Sequence, residues 1–477
     1  MKEHIARPPG PMGWPVVGSL PFLLSQPMEF YRRMSLGYGG ISFVRLGAAR
    51  IYMVGDPELI EELLQGQGKS CIKDATTRTL KPLVGQGLLT SEGELWKRQR
   101  KLAAQPFTPK RLDGYEDTMV DCATRAFAQF ADGEVRDFHH DSMLLTLEIA
   151  GKALLGVQTP EEVARVGESV TSALSYFHER MRTWKALLPP SFPTRKLLKF
   201  RRGKRDLDAV VKAIITRCRN DGAKGEYLLA RLLRSRTEDG QEMPEQLLLD
   251  EAVTMLLAGH ETTALTLMFA VYLLSSHPDE AARLRADIDT VLQGRPITVE
   301  DLKQLPFLDA VVREALRLYP PAYAFGRETT APFELGGYQI PVGSQIAVSP
   351  YGIHRNGRYF REPDRFRPER WLNGETDDLP RFAYLPFGGG HRVCIGSHFA
   401  LLEIGVALAS LLQQVELTVV PGFELKLDPV ITLRSEHGMP VRVKRRVSVA
   451  RGSTRSEAPP PTTPAAGCPH AAASRVS

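Results

Sequence analysis

The stretch Phe387-Gly388-Gly389-Gly390-His391-Arg392-Val393-Cys394-Ile395-Gly396 is a glycine-rich loop that delivers one cysteine to the start of an apolar helical segment. From Ser397 to about Val415, Phe399, Leu402, Val406 and Leu408 recur at helical spacing, which predicts a helix with Cys394 near its N-terminus. The dipole there favours thiolate over thiol. A metal-binding sulfur also needs backbone N–H donors to hold its charge, and glycines let those amides approach. Gly388, Gly390 and Gly396 are expected to keep Cβ atoms clear of a flat macrocycle lying on the loop, while Phe387 shields the sulfur from water and Arg392 pairs with a macrocycle carboxylate. A lone cysteine before a helix is ordinarily a small buried hydrophobe. The flanks make this one a candidate thiolate ligand for haem iron.

The same residues resemble the haem-binding loop of the cytochrome P-450 family, Phe-x-x-Gly-x-Arg-x-Cys-x-Gly, and match it at Phe387, Gly390, Arg392, Cys394 and Gly396. The resemblance implies that Cys394 is the axial ligand of haem b, iron protoporphyrin IX, pushing electron density that favours O–O cleavage. It also implies the family's fold, mainly α with small β-sheets, with haem between a long distal helix and a proximal helix preceded by the cysteine loop.

A second constellation, Ala258-Gly259-His260-Glu261-Thr262-Thr263, interrupts the apolar run Leu247 to Leu274. Gly259 weakens a helix, and the Thr262 hydroxyl is within reach of the Ala258 carbonyl, so local bending or widening is expected. A polar patch in a helix is more often a solvated face or a satisfied core network. This one resembles the family's oxygen-activation motif, Ala-Gly-x-Asp/Glu-Thr-Thr, which implies a dioxygen hydrogen bond for Thr262 and a proton relay for Glu261. Thr263 is expected to support or pack, and His260 to face away from iron.

Glu314 and Arg317, three apart, share one helix face among Val311, Val312, Leu316 and Leu318. Most such pairs are surface ion pairs of little worth. They resemble the family's Glu-x-x-Arg pair, and Phe366-Arg367-Pro368-Glu369-Arg370-Trp371 resembles the segment that supplies its third member, Arg370. A structural brace on the proximal side is implied. Trp96-Lys97-Arg98-Gln99-Arg100 resembles the Trp-x-x-x-Arg propionate motif, and Arg327 occupies the position of another propionate arginine. The implied haem-carboxylate set is Trp96, Arg100, Arg327 and Arg392. Lys97, Arg98 and Lys101 read by default as a solvated face, with docking of an acidic ferredoxin as the second reading.

Composition agrees without pointing to any of this. The chain has 477 residues, 43% hydrophobic and 24% charged, and length alone would suggest about three domains. The resemblance implies a single domain over 1–448, followed by a disordered Pro/Ala/Ser-rich tail over 449–477. The five cysteines are scattered without paired spacing, which gives no disulfide or zinc framework and suits a reducing cytoplasm. Cys468 and His470 in the tail make a poor metal site. A net charge of +6 arises from 61 basic and 55 acidic residues, a mildly basic surface with no call for nucleic acid. The start, Met1-Lys2-Glu3-His4, soon meets Pro8, Pro9, Pro11 and Pro15, so no membrane anchor or targeting segment is expected, and the reading is a soluble bacterial protein.

Along the chain, Ile41 to Leu46 and Ile51 to Val54 predict a hairpin, and helical spacing dominates from about Tyr115 to about Tyr319. Hairpins are expected again where Phe333 to Leu335 and Gln345 to Val348 flank the Gly336-Gly337 and Pro341-Val342-Gly343 turns, and short strand pairs fit Phe423 to Leu427 and Val441 to Lys444.

The resemblance implies insertion of one dioxygen atom into an unactivated C–H bond of a hydrophobic substrate, a fatty acid, terpenoid or polyketide. No Gly-rich dinucleotide loop is present, so electrons from NAD(P)H are expected through a ferredoxin and its NAD(P)H-dependent reductase, or a flavodoxin. Leu256, Leu257, Tyr323 and Phe325 are expected to line the cavity, within a pocket drawing on 71–89, 172–188, 256–263, 322–325 and 433–437. A haem-thiolate isomerase, dehydratase or peroxide-using enzyme, and a non-catalytic haem sensor, are the alternatives.

Overall fold

The computed structural model describes residues 7–182, 195–236 and 240–446. The tail with its Cys468/His470 pair, and positions 183–188 of the expected pocket, lie outside the described residues. Helices form the body: α1 (Gly93–Ala104), α2 (Glu116–Ala128), α3 (Phe138–Ala150), α4 (Pro160–Arg182), α5 (Arg195–Asn220), α6 (Glu245–Ser276), α7 (Pro306–Leu318) and α8 (Ser397–Gln414) position the site. The spine is α6, which at 32 residues spans about 48 Å. It is apolar nearly all round, as a helix must be when it is packed on every side. Its end is set by Pro278, which disfavours helical backbone at the residue before it. Helices α3, α7 and α8 pack along α6, and one large apolar core encloses all four.

A five-stranded sheet stands beside this body, built from β1 (Ile41–Leu46), β2 (Ala49–Val54), β3 (Cys71–Lys73), β5 (Phe325–Thr329) and β8 (Gln345–Val348) in the order β1-β2-β8-β5-β3. The expected β1–β2 hairpin is present, with Ile41 opposite Val54. Between β3 and β5 the chain carries β4 (Val135–Asp137), which joins a sheet with β9 (Val415–Val419) and β12 (Pro440–Arg445). The register of β3 on β5 sets Lys73 opposite Arg327, so two cationic side chains leave the same face of this sheet edge.

The later strands follow expectation in part. Phe333–Leu335 (β6) turns at Gly336-Gly337 as expected and pairs with Tyr338–Ile340 (β7). Gly336 and Gly337 both have positive φ, +59° and +79°, which closes a two-residue hairpin and satisfies β6 locally. Strand β8 is thereby left to insert between β2, in parallel, and β5, antiparallel. Residues 423–426 form no strand, and β12 pairs instead with β9, whose Val415, Leu417 and Val419 follow period-two alternation. Strand β10 (Leu427–Pro429) pairs with β11 (Leu433–Ser435). The expected widening of α6 at Gly259 is also absent, and the helix is α throughout. The Thr262 and Thr263 hydroxyls bond the Ala258 and Gly259 carbonyls at 2.7 Å each, using spare lone pairs, so the ladder need not open.

Candidate active site

Three elements carry the residues singled out in the sequence. The first is the loop before α8, where the Cys394 N–H donates to the Phe387 carbonyl at 2.9 Å and closes a tight bend. Gly388 and Gly390 adopt left-handed backbone, φ +71° and +65°. A Cβ on Gly390 would lie 2.4 Å from the Leu64 carbonyl oxygen, so this glycine admits the neighbouring backbone rather than clearing a macrocycle, as had been expected. Nothing lies within 4 Å of a Cβ built on Gly388, and only the Phe107 ring edge, at 3.9 Å, within reach of one on Gly396.

Cys394 keeps exposed surface although protein surrounds most of it. Burial pushes its thiol pKa up, while the Gly396 N–H and the Arg100 charge pull toward thiolate. Arg100, expected to face a haem carboxylate, is thus electrostatically coupled to the sulfur. The start of α8 lies three residues beyond Cys394, at Ser397, as expected.

The second element is the centre of α6. Within this buried helix, Leu257, Ala258, Gly259 and Thr262 are accessible and mark one face of it. Glu261 is buried and faces elsewhere: its Oε1 accepts from the Thr432 hydroxyl at 2.8 Å. Burial raises its pKa, opposed by the Thr432 bond and Arg434. His260 is buried on a further face, held neutral by burial with a pKa of about 4, and its carbonyl accepts from Thr146 at 2.9 Å. Thr263 is buried and bonds within its own helix, as a supporting residue should.

The third element is a cluster of cations. Arg392 pairs with Glu92, donates to the Ser91 carbonyl at 3.1 Å, and lies 4.2 Å from the Trp96 ring centroid. Glu92 also accepts from the Lys73 backbone N–H at 2.6 Å. Arg327 donates to the Gly326 carbonyl at 2.8 Å, and its pKa is lowered by burial and by Arg392. Burial together with Arg327 and Arg392 takes Lys73 down to about 7. Positive charge so crowded is unfavourable unless further anion reaches it. A macrocycle bearing two carboxylates and a central metal open to a thiolate fits this donor set. Lys73 and Glu92 had not been picked out, and they meet only through the β3–β5 pairing and the turn into α1, which no single motif encodes.

The structure brings Glu314, Arg317 and Arg370 together. Arg317 Nε and Nη2 donate to the two Glu314 oxygens at 2.8 Å each, Arg370 Nε donates at 3.1 Å, and the Trp371 indole N–H adds a bond at 3.0 Å. All three charged residues are buried. Two of the four expected cavity residues are core instead: Tyr323 is buried, its hydroxyl donating to the Val430 carbonyl at 2.9 Å and its ring edge-on to Tyr31. Buried phenols seek such a partner. Leu256 is likewise buried, while Leu257 and Phe325 keep accessible surface.

Comparison with known proteins gives concordant results. The family model Cytochrome P-450 matches residues 8–436. Pentalenene oxygenase of Streptomyces avermitilis is 32% identical over 436 residues, covering 91% of this chain and 96% of the relative. Cyclooctat-9-en-7-ol 5-monooxygenase of Streptomyces melanosporofaciens is 33% identical, covering 86% and 89%. The solved structure of retinoic acid bound cyanobacterial CYP120A1 superposes with a TM-score of 0.81 at 26% identity, covering 93% of this chain and 100% of that one.

Proposed function

Because this chain belongs to the cytochrome P-450 family, and so is a haem-b monooxygenase that inserts one atom of dioxygen into a hydrophobic substrate, we propose that its substrate is a cyclic terpenoid. The observation that carries this reading is likeness along nearly the whole chain to two bacterial enzymes named for such substrates. The accessible apolar surface of Leu257, Ala258 and Phe325 suits a ring skeleton without charge, which binds by burial.

Bound haem supplies the redox iron at which dioxygen is reduced. Cys394 is its sulfur ligand, and Arg327, Arg392 and Arg100, with Trp96 beneath Arg392, answer its carboxylates. The Thr262 hydroxyl, on the accessible face of α6, turns from the Ala258 carbonyl to hold a proton there. Glu261, whose carboxyl burial biases toward the protonated form and whose Oε1 accepts from Thr432, relays protons toward that face. Electrons come from NAD(P)H through an external ferredoxin and reductase, or a flavodoxin. Residues 1–448 act as one domain. The buried free thiols Cys71, Cys122 and Cys218 suit a reducing cytoplasm.

The test is titration of the ferric protein with cyclic terpene hydrocarbons and with long-chain fatty acids, following the haem absorption. A shift with the terpenes, as iron-bound water is displaced, is the expected result. A shift confined to the fatty acids overturns the substrate assignment.

A further inference from the structure

We propose that His354 is a positioning residue for the thiolate, carrying the rigidity of the Glu314–Arg317–Arg370 brace into the Cys394 loop so that the sulfur stays in ligating geometry. The proposal rests on the haem-thiolate reading of Cys394.

His354 is fully buried, its ring packed near those of Phe360 and Tyr384. Its Nε2 lies 2.9 Å from the Leu385 backbone N, a group that only donates, so Nε2 accepts. The imidazole proton therefore sits on Nδ1, which donates to the Arg317 carbonyl oxygen at 3.2 Å. Arg317 Nη1 donates back to the His354 carbonyl at 2.8 Å. Burial, with Arg317 and Arg355 alongside, drops the pKa to about 3, which keeps this tautomer neutral.

From Leu385 the path continues through backbone. The Gly388 N–H donates to the Leu385 carbonyl at 3.0 Å, and the Cys394 N–H donates to the Phe387 carbonyl at 2.9 Å. The imidazole thus bonds both the arginine at the centre of the brace and the segment that folds back onto the cysteine. Removing its acceptor leaves the buried Leu385 N–H without a partner, and the loop must move to satisfy it.

The two ends of the imidazole can be separated by substitution. His354→Gln places an amide oxygen near Nε2 and keeps the acceptor for Leu385. His354→Asn places an amide nitrogen near Nδ1 and keeps only the donor to Arg317. His354→Leu keeps neither.

The readouts, taken on the haem-loaded protein, are the absorption of the ferrous carbon monoxide complex, whose long-wavelength band reports thiolate ligation, and the rate of haem transfer to apomyoglobin. The expected result is that His354→Gln retains the thiolate band, whereas His354→Asn and His354→Leu convert most of it to the shorter-wavelength form. Haem release in those two variants should quicken roughly tenfold, the scale on which loss of a ligand's supporting bond weakens metal sites. The Gln and Asn variants decide the matter if the Leu variant does not fold. A full thiolate band in His354→Asn, with only a lowered melting temperature, overturns the proposal and leaves His354 as packing. A wild-type protein with no thiolate band at all would instead sink the reading of Cys394.

Discussion

Thr262 differs from its buried neighbour Thr263 by direction alone: both hydroxyls bond the carbonyl four residues back, but only Thr262 stands on the accessible face of α6. Substitution of Thr262 by Ala should leave NAD(P)H oxidation running while product per NAD(P)H falls several-fold, and Thr262→Ser should restore it. Coupling that is undiminished in the Ala variant would count against the proton-holding role. At the cation cluster, Arg327→Gln removes a positive charge proposed to meet a haem carboxylate, and haem release should quicken by roughly tenfold. Short motifs made Thr262, Cys394 and Arg327 legible in the sequence. Glu92, Lys73 and His354 were not legible, because each acquires its role from a residue far away in sequence: Glu92 from Arg392, Lys73 from Arg327, His354 from Leu385.

At the scale of elements, the brace and the spine carry separable predictions. Glu314→Gln leaves Arg317 and Arg370 buried without their carboxylate, and denaturant unfolding should show a loss of about 3–5 kcal/mol. On α6, Glu251 accepts from the Leu88 N–H at 2.9 Å and from Gln99 at 3.2 Å, while its other oxygen has no partner. Burial raises its pKa to about 7. The folded protein therefore binds more protons than the unfolded chain between the ordinary carboxylate range and about pH 7, and stability must fall as pH rises through that window. Wild type minus Glu251→Gln should show that fall, on the order of 2–3 kcal/mol, in urea unfolding at successive pH values. An identical pH dependence in the two proteins would show that Glu251 titrates normally.

The helices of this body were legible from apolar period, as in the Leu247 to Leu274 run that lies within α6. Strand partners were less so. A short run such as Gln345–Val348 fits several partners on pattern alone, and only the closed Gly336-Gly337 hairpin decides which.

For the molecule as a whole, α6 passes by length and composition as a membrane-crossing helix, yet 72% of its apolar window is buried inside the fold, so its apolarity serves the core. On α1, Lys97, Arg98 and Lys101 are exposed on the helix that also carries Trp96 and Arg100. The Lys97–Glu94 pair is too exposed to hold that charge back. Replacing all three with Glu should slow reduction by an acidic ferredoxin by about tenfold at low salt, with the difference shrinking as salt rises. Stopped-flow reduction kinetics measure this, and equal rates would place docking elsewhere.

The central claim, oxygen insertion at a thiolate-bound haem, is tested most directly by turnover of a cyclic terpene hydrocarbon with a surrogate ferredoxin and reductase under isotope-labelled dioxygen. The account predicts a product whose mass gains one labelled oxygen atom. A product whose added oxygen comes from water, or an isomer that gains no oxygen, would contradict it.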